Sequence, residues 1–458
     1  MNYIYKIFIA LCFSFLISSG SKLFAQYDLG IYHLNLVPQT NLSNPAFMPS
    51  YQYHFGFPGL SSVYGGFGTS GAKYNQMFET TPQDSLALSP TNILANIKDG
   101  NNINSRAVDQ WLNFGMRWQK FYFSASISDV TDVNAFYSKN LVDLAANGNG
   151  DFVGQTINLD PIAIKALHYR EYAIGAAYDF NDQWNFGVKA KLLFGKSAIN
   201  SEKMDITLNT TQDYYYINTT TDVLINTSLP YSKKDTTEDV SFGEYAFSSS
   251  NMGFGFDAGA TFKLDDQWSF SASVLDLGLI KYDRWLNSYS SQASVSYKGI
   301  GVNQFDGLNE VQQEQLWQDI QDSIINLFEV NETVETFKVP LTAKIYLGAN
   351  YQLSSVDNLG ALVRLEIFKG VVRPSFTASY YRQLTENIGV TANYSILNRS
   401  YFNLGVGVVA NYYPVQFYFV TDNVYGLIAP DDVRYNAFHF GINFIFPSHQ
   451  VNRTMIEL

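Results

Sequence analysis

The stretch Tyr172-Ala173-Ile174-Gly175-Ala176-Ala177-Tyr178-Asp179-Phe180 runs through a polar break, Asn181-Asp182-Gln183, into Trp184-Asn185-Phe186-Gly187-Val188-Lys189-Ala190-Lys191-Leu192-Leu193-Phe194. Before the break, Tyr172, Ile174, Ala176, Tyr178 and Phe180 share one face, and Ala173, Gly175, Ala177 and Asp179 the other. After it, Trp184, Phe186, Val188, Ala190, Leu192 and Phe194 oppose Asn185, Gly187, Lys189 and Lys191. Period-two alternation is the mark of a strand with unlike faces, and a short polar break between two such runs makes a hairpin. The unit recurs: Phe254, Phe256, Ala258, Ala260, Phe262 and Leu264 oppose Gly255, Asp257, Gly259, Thr261 and Lys263. Asp265-Asp266-Gln267 follows, then Trp268, Phe270, Ala272 and Val274. Residues 388–396, 402–408 and 437–446 alternate in the same way.

One face of each strand is bulky and apolar, while the other is rich in Gly, Ala, Ser and Asn. A soluble sandwich would put Lys, Glu and Thr on its outside. Small residues make a poor solvated surface and a good lining for a crowded or watery lumen. Segments of about ten residues with aromatics at their ends match outer-membrane strands, with the apolar face turned to lipid. In lipid the sheet must close, because an open edge leaves backbone groups unpaired. The expectation is an all-β protein, a transmembrane antiparallel β-barrel.

Composition agrees. Of 458 residues, 16% are aromatic and only 15% charged, the reverse of a disordered chain. The formal charge is 29 − 41 = −12, with no basic block, which excludes nucleic acid as a partner. Residues 1–25 read as a signal peptide: Lys6, the apolar run 7–17, then Leu23-Phe24-Ala25. That run is too short to span a bilayer, which takes about 20 residues. The single cysteine, Cys12, leaves with the leader, and the mature charge becomes 27 − 41 = −14. Export, absence of disulfides and insertion in the cell outer membrane follow, with outer-membrane lipid and lipopolysaccharide as surroundings.

Strand number follows from parity. Short turns are expected at 119–120, 181–183, 265–267, 352–357, 383–386 and 413–414, with long connections at 137–165, 200–250 and 276–338. Shorter connections fall at 369–373, 398–400 and 421–434. Bacterial barrels keep short turns periplasmic and long loops extracellular. Thirteen strands from residue 111 onward need one more, supplied by 61–69, so about 14 strands are expected, or 16 if residues 200–250 add a hairpin to the wall. The domains are then the leader 1–25, an N-terminal plug-like segment 26–60, a barrel 61–446 and a periplasmic tail 447–458.

His439-Phe440-Gly441-Ile442-Asn443-Phe444-Ile445-Phe446 fits the final-strand pattern read by the barrel-assembly machinery, with His439, Gly441, Phe444 and Phe446 at its key positions. Near the mature N-terminus stands Asn41-Leu42-Ser43-Asn44-Pro45-Ala46-Phe47-Met48-Pro49. With Phe57-Pro58-Gly59-Leu60-Ser61-Ser62, Ser273-Val274-Leu275-Asp276-Leu277-Gly278 and the closing Gly441-Ile442-Asn443, it resembles a family of Bacteroidetes outer-membrane barrels of unknown function, similar to the FadL-like and PorV-like group. The resemblance implies a plug carrying Asn44, Pro45 and Ala46. It also implies either passage of hydrophobic compounds or an accessory part in type IX secretion. On the residues alone, Asn44 and Pro45 are equally read as capping and stiffening a turn.

Alternation places Arg117, Asp179, Lys189, Lys191, Asp257, Lys263, Lys344, Arg364 and Glu366 on the lumen, where they either neutralise one another or form a polar track. Leu193, Tyr346, Leu362, Phe368 and Tyr401 are placed there as an apolar lining. Asn147-Gly148-Asn149-Gly150-Asp151 has calcium-loop spacing, but Phe152 stands where glycine is required. Residues 309–328 read as an amphipathic helix: a lid on the extracellular mouth, an acidic surface bridged to lipopolysaccharide phosphates by divalent cations, or a loop that packs its stripe on the barrel rim. The five histidines lack metal-site spacing, no Gly-x-Ser-x-Gly or phosphate loop occurs, and neither enzyme nor cofactor is indicated. Two functions remain: a transporter of small hydrophobic molecules, or a non-enzymatic scaffold or shuttle bound to a secretion-complex protein.

Overall fold

The computed structural model describes residues 29–34, 36–80, 85–213, 216–230, 240–297 and 328–447. The leader 1–25, residues 309–327 of the amphipathic stretch and the tail beyond 447 lie outside them. Fourteen strands form the wall. They are β1 (Tyr51–Gly56 continued by Ser62–Thr69), β2 (Asn101–Trp118), β3 (Phe121–Tyr137), β4 (Ala163–Asp179), β5 (Trp184–Thr210), β6 (Met252–Lys263) and β7 (Trp268–Tyr282). The second half comprises β8 (Phe337–Pro340 continued by Ala343–Gln352), β9 (Asp357–Phe368), β10 (Val371–Gln383), β11 (Ile388–Leu397), β12 (Ser400–Tyr412), β13 (Val415–Thr421) and β14 (Tyr435–Pro447). Each pairs antiparallel with its sequence neighbours, and β14 pairs with β1. The ring therefore has no free edge.

Six short turns lie at one end, two more (369–370 and 398–399) lie at the other, and four of the six share a local chemistry. In each of these four, one polar residue of the break accepts backbone N–H groups that the hairpin would leave orphaned. Asn181 Oδ1 takes Gln183 and Trp184 at 3.0 and 2.8 Å. Asp265 Oδ1 takes Gln267 and Trp268 at 2.8 and 2.6 Å. Ser354 and Thr385 do the same for Asp357 and Ile388, each at 3.1 Å. The alternation holds along the wall: Ile174, Phe254, Phe270, Leu347, Phe376 and Leu404 point outward, exposed to what is lipid in a membrane. Rings meet at a tilt across the turn end, Trp184 with Phe262 at 4.6 Å and Trp268 with Tyr351 at 4.8 Å, as in an aromatic girdle.

Two expectations about boundaries change. Residues 51–56, assigned to the plug-like segment, belong to the wall, because the Pro58-Gly59 break is a bulge inside β1. Gly56 faces Asn443 and Val63 faces Phe440, so β1 carries four more residues than β14 over this interval. Pro58 has no N–H to leave unpaired, and Gly59 turns at φ +74°. The wall bonds persist through Phe57 N–H to Ile442 O (2.8 Å) and Gly59 N–H to Trp111 O (3.0 Å). The second change concerns residues 200–250. Their added strand, Ile217–Ser228, pairs with the far end of β5 and with Leu286–Tyr297, while β6 pairs directly with β5 lower down. The count stays at 14 because β5 has 27 residues, and a membrane strand needs only about 9–11. The hairpin stands beyond the wall.

At that outer end the connections have a small apolar core of their own, Phe152, Ile157, Leu159 and Leu208. Phe152 is buried in this core rather than standing at a calcium loop. Lys73 ties two connections together through Asp432 at 2.8 Å, with Tyr425 and Asn75 also donating to that carboxylate. These hydrogen bonds lower the Asp432 pKa to about 2. Because the shift is downward, the tie is complete above the ordinary carboxylate range and is lost as pH falls toward 2. Hydrogen-exchange protection factors at residues 73–78 and 424–432, corrected for the intrinsic pH dependence of exchange, should therefore be constant from pH 7 to 5 and fall only below about pH 4.

Candidate functional site

Residues 29–34 and 36–50 lie within the ring. Their contacts reach strands on every side of it, which only an enclosed segment can do. Pro38 starts a short 3-10 helix, Pro38–Leu42, at the position where its missing N–H is harmless. The Asn41 amide then closes the following turn on the carbonyls of Pro45 (3.1 Å) and Phe47 (2.9 Å). Asn44 Oδ1 accepts Ala46 N–H at 2.9 Å, so Asn44-Pro45-Ala46 is a side-chain-capped turn.

The turn has a seat in the wall. Gly187 of β5 and Gly259 of β6 are direct cross-strand partners. A Cβ on Gly187 would lie 2.2 Å from Pro45 O, and one on Gly259 would lie 2.0 Å from Asn44 Oδ1. The paired glycines thus form a flat bay. Around it, Ser273 Oγ donates to Ser43 O (2.7 Å), Lys189 Nζ to Asn41 O (3.1 Å), and Arg117 to Met48 O (3.0 Å) and Pro49 O (3.2 Å). Asn44 Nδ2 faces the carbonyls of Ala260 and Ala272 at 3.4 and 3.3 Å.

Two further anchors complete the fit. Gln39 and Asn443 exchange amide bonds of 2.8 and 2.9 Å, and Gln39 also donates to Ser61 O at 2.8 Å. Ser61 belongs to the bulge in β1, so the interior segment satisfies a carbonyl that the bulge turns inward. Tyr32 stacks on Tyr346 at 5.6 Å and shares a 3.0 Å hydroxyl contact with Ser271. Leu29, Tyr346, Leu362 and Leu397 pack with it.

On the outer side of the seat lies a buried ion network. Lys191 Nζ is 2.6 Å from Asp276, 2.9 Å from Asp257 and 3.4 Å from Glu171. Lys344 also binds Asp276, and Arg106 spans Asp276 (3.8 Å) and Asp132 (3.5 Å). Glu366 holds Arg364 at 2.8 Å and also binds Arg373. Arg373 reaches Asn134 (2.5 Å), which donates to Asp132 (2.6 Å), closing the chain of contacts. Every acid in the network faces at least one cation, the arrangement that makes buried charge tolerable. Two small cavities lie beside the segment and hold about 10 Å³ each, one beside Asn41, Tyr122 and Lys189, the other beside Gly30, Asp422 and His439. Each has room for a single water. The described interior is filled.

Of the nine ionisable residues placed on the lumen from sequence, Lys191, Asp257, Lys344, Arg364 and Glu366 meet in this network. Lys189 and Arg117 hold the N-terminal segment instead. Asp179 is half-buried at the turn end of β4. Lys263 does not line the lumen: it is exposed at the turn and pairs with Asp266 at 3.0 Å. Tyr401 is 68% exposed at the end of β12 and lines no pocket among the described residues, and Tyr346 and Leu362 are covered by the N-terminal segment rather than lining a pocket. In β14, His439 faces inward to Ser62 Oγ (2.6 Å) and Tyr418 (3.1 Å), while Gly441 packs against Ser61 and Tyr418. Phe444 and Phe446 stack with Phe55 on the other face.

Sequence reasoning missed Asp276, Arg106, Glu171, Arg373 and Gln39. Strict alternation from Val274 puts Asp276 on the lipid face. A bulge opposite Asp257 turns it inward, with φ +59° and its N–H bonded to Asp257 Oδ1 at 2.8 Å. Arg106 and Arg373 fall where connections were expected. Glu171 shares the parity of Ala173, and that parity could have found it.

A closed 14-strand antiparallel barrel with an apolar outer belt and a filled polar interior defines an integral membrane barrel of the outer-membrane type. Residues 45–422 match a family of unknown function, DUF5723, and the chain belongs to that family. No curated protein matches it in sequence. Among solved structures it is similar to the toluene transporter TodX of Pseudomonas putida, at 12% identity and TM-score 0.38, covering 89% of this chain and 91% of that one. It is likewise similar to the toluene transporter TbuX of Ralstonia pickettii (10%, TM-score 0.40, 90% and 94% covered). A FadL homologue of Pseudomonas aeruginosa is a third (10%, TM-score 0.41, 93% and 100% covered).

Proposed function

We propose that this protein is a non-enzymatic transporter of small, hydrophobic to amphipathic molecules in the cell outer membrane, and that residues 29–50 are its gate. One observation carries the reading: the wall behind the segment is polar and smooth over much of its area, and apolar where Tyr346, Leu362, Leu397, Val409 and Val420 meet Leu29, Ile31, Tyr32, Leu34 and Val37. Ser271, Ser273, Asn443, Gln416, Lys189 and Arg117 bind it through hydrogen bonds that water can replace, and glycines shape its seat. A barrel closed for good would be better filled by apolar side chains, since buried polar groups need partners at every site. Withdrawal of the segment from this wall leaves a wettable passage.

The filled interior also favours a second reading, a sealed barrel acting as a scaffold or shuttle for an envelope or secretion-complex protein. Planar-bilayer conductance of the mature chain, intact and lacking residues 29–49, separates them, with heat-modifiable migration on gels confirming a folded wall. The gate reading expects a nearly closed intact barrel and steady conductance after deletion. A folded but silent deletion variant would remove that reading and leave the scaffold.

A further inference from the structure

On the outside of the wall, β7 and the upper part of β8 pair with Lys281 directly opposite Lys338. Both side chains are exposed and face away from the lumen, since their neighbours Ile280, Tyr282, Phe337 and Val339 are buried inside. Like charges directly opposed across two strands repel. Neither lysine makes an ion pair among the described residues. Two exposed acids stand close in the chain among the described residues, Asp283 two positions beyond Lys281 and Glu335 three before Lys338, and neither pairs with these lysines.

Their height gives the repulsion a meaning. Two residues nearer the turn end runs an apolar row, Leu192–Phe254–Leu279–Pro340, each opposite the next across β5, β6, β7 and β8. Phe254 is 64% exposed and Leu279 42%. Below the row the apolar belt continues to the girdle at Trp268. Tilted strands carry Lys281 roughly 30 Å above that girdle, which is the thickness of the hydrocarbon layer. Two cations thus sit side by side at the outer lipid–water boundary, directly above a surface that takes acyl chains.

We propose that Lys281 and Lys338 bind one phosphate of an outer-leaflet glycolipid, whose acyl chains lie on the Leu192–Phe254–Leu279–Pro340 row. A single doubly charged phosphate between the ammonium groups turns the repulsive pair into two charge-assisted contacts. No divalent cation is needed, so chelation leaves the complex intact.

The test uses the full mature chain in neutral detergent, with native mass spectrometry counting retained phosphorylated lipid A. Wild type should keep it through detergent exchange in the presence of chelator. The Lys281→Gln/Lys338→Gln double variant should lose it by about tenfold or more, and Lys203→Gln, at an exposed pair elsewhere on the chain, should not. Phosphatase-treated lipid A should be lost from wild type equally. A melting comparison guards against mere misfolding. Lys338→Gln should raise the melting temperature in neutral detergent, by relieving repulsion, and lower it relative to wild type once lipid A is added. Equal retention by the double variant or by dephosphorylated lipid would overturn the proposal, as would full displacement by millimolar inorganic phosphate.

Discussion

Gly259→Val is expected to unseat the N-terminal segment while leaving the wall intact. Valine suits a strand, but its Cβ would fall 2.0 Å from Asn44 Oδ1 and 3.1 Å from the Pro45 ring. A Cβ on the opposing Gly187 would likewise fall within 2.5 Å of Pro45 O, Pro45 C and Ala46 N, so the turn lies close against both glycines and has little room to slide within its bay. Overpacking of this kind costs about 1–3 kcal/mol, and displacement also forfeits the Ser273 and Lys189 bonds to the turn. With each 1.4 kcal/mol worth about tenfold, open-state occupancy should rise roughly 10- to 100-fold. Bilayer conductance measures it, against gel migration as the check on folding. Asn44→Gly in the same chain should partly restore closure, because it removes the atom that clashes. A silent, correctly folded Gly259→Val would mean that the seat does not control the lumen.

Asp276→Asn should be the most destabilising single substitution in the wall. Asp276 accepts Lys191 and Lys344 and lies 3.8 Å from Arg106, all in the buried interior. Neutralising it leaves these cations to share Asp257, Glu171 and Asp132. Loss of one partner of a buried ion pair costs about 3–5 kcal/mol. The backbone does not confound the comparison, because asparagine tolerates the positive φ that Asp276 adopts. Urea unfolding of vesicle-refolded protein reads the effect. Lys263→Gln provides the contrast: its pair with Asp266 is exposed at a turn, and the change should stay within about 0.5 kcal/mol. Similar losses for both substitutions would show that the network does not hold the interior together.

The strands and their parity were legible because lipid outside and a crowded lumen inside impose opposite demands on alternate residues. That constraint is local and repeats in every strand, so Tyr172 to Phe194 states it as clearly as the whole chain does. The Asn181, Asp265, Ser354 and Thr385 turns were legible for the same reason, since each caps its own backbone. The site was legible only in part. Lys191, Asp257, Lys344, Arg364 and Glu366 could be placed on the lumen by counting in twos, but which of them meet depends on how the ring closes. Asp276 and the residue 57–61 bulge defeat counting altogether, because one extra residue reverses a face and its cause lies on the neighbouring strand. Sequence by itself determined a membrane barrel of about 14 strands with an N-terminal segment left over. Only the tertiary structure decided that residues 29–34 and 36–50 pack against the inner face of the wall, that Gly187 and Gly259 meet beneath Asn44 and Pro45, and that the charges cancel around Asp276. Those are pairings between residues from 68 to 404 positions apart, set by the register and curvature of the closed sheet, and no local pattern encodes them.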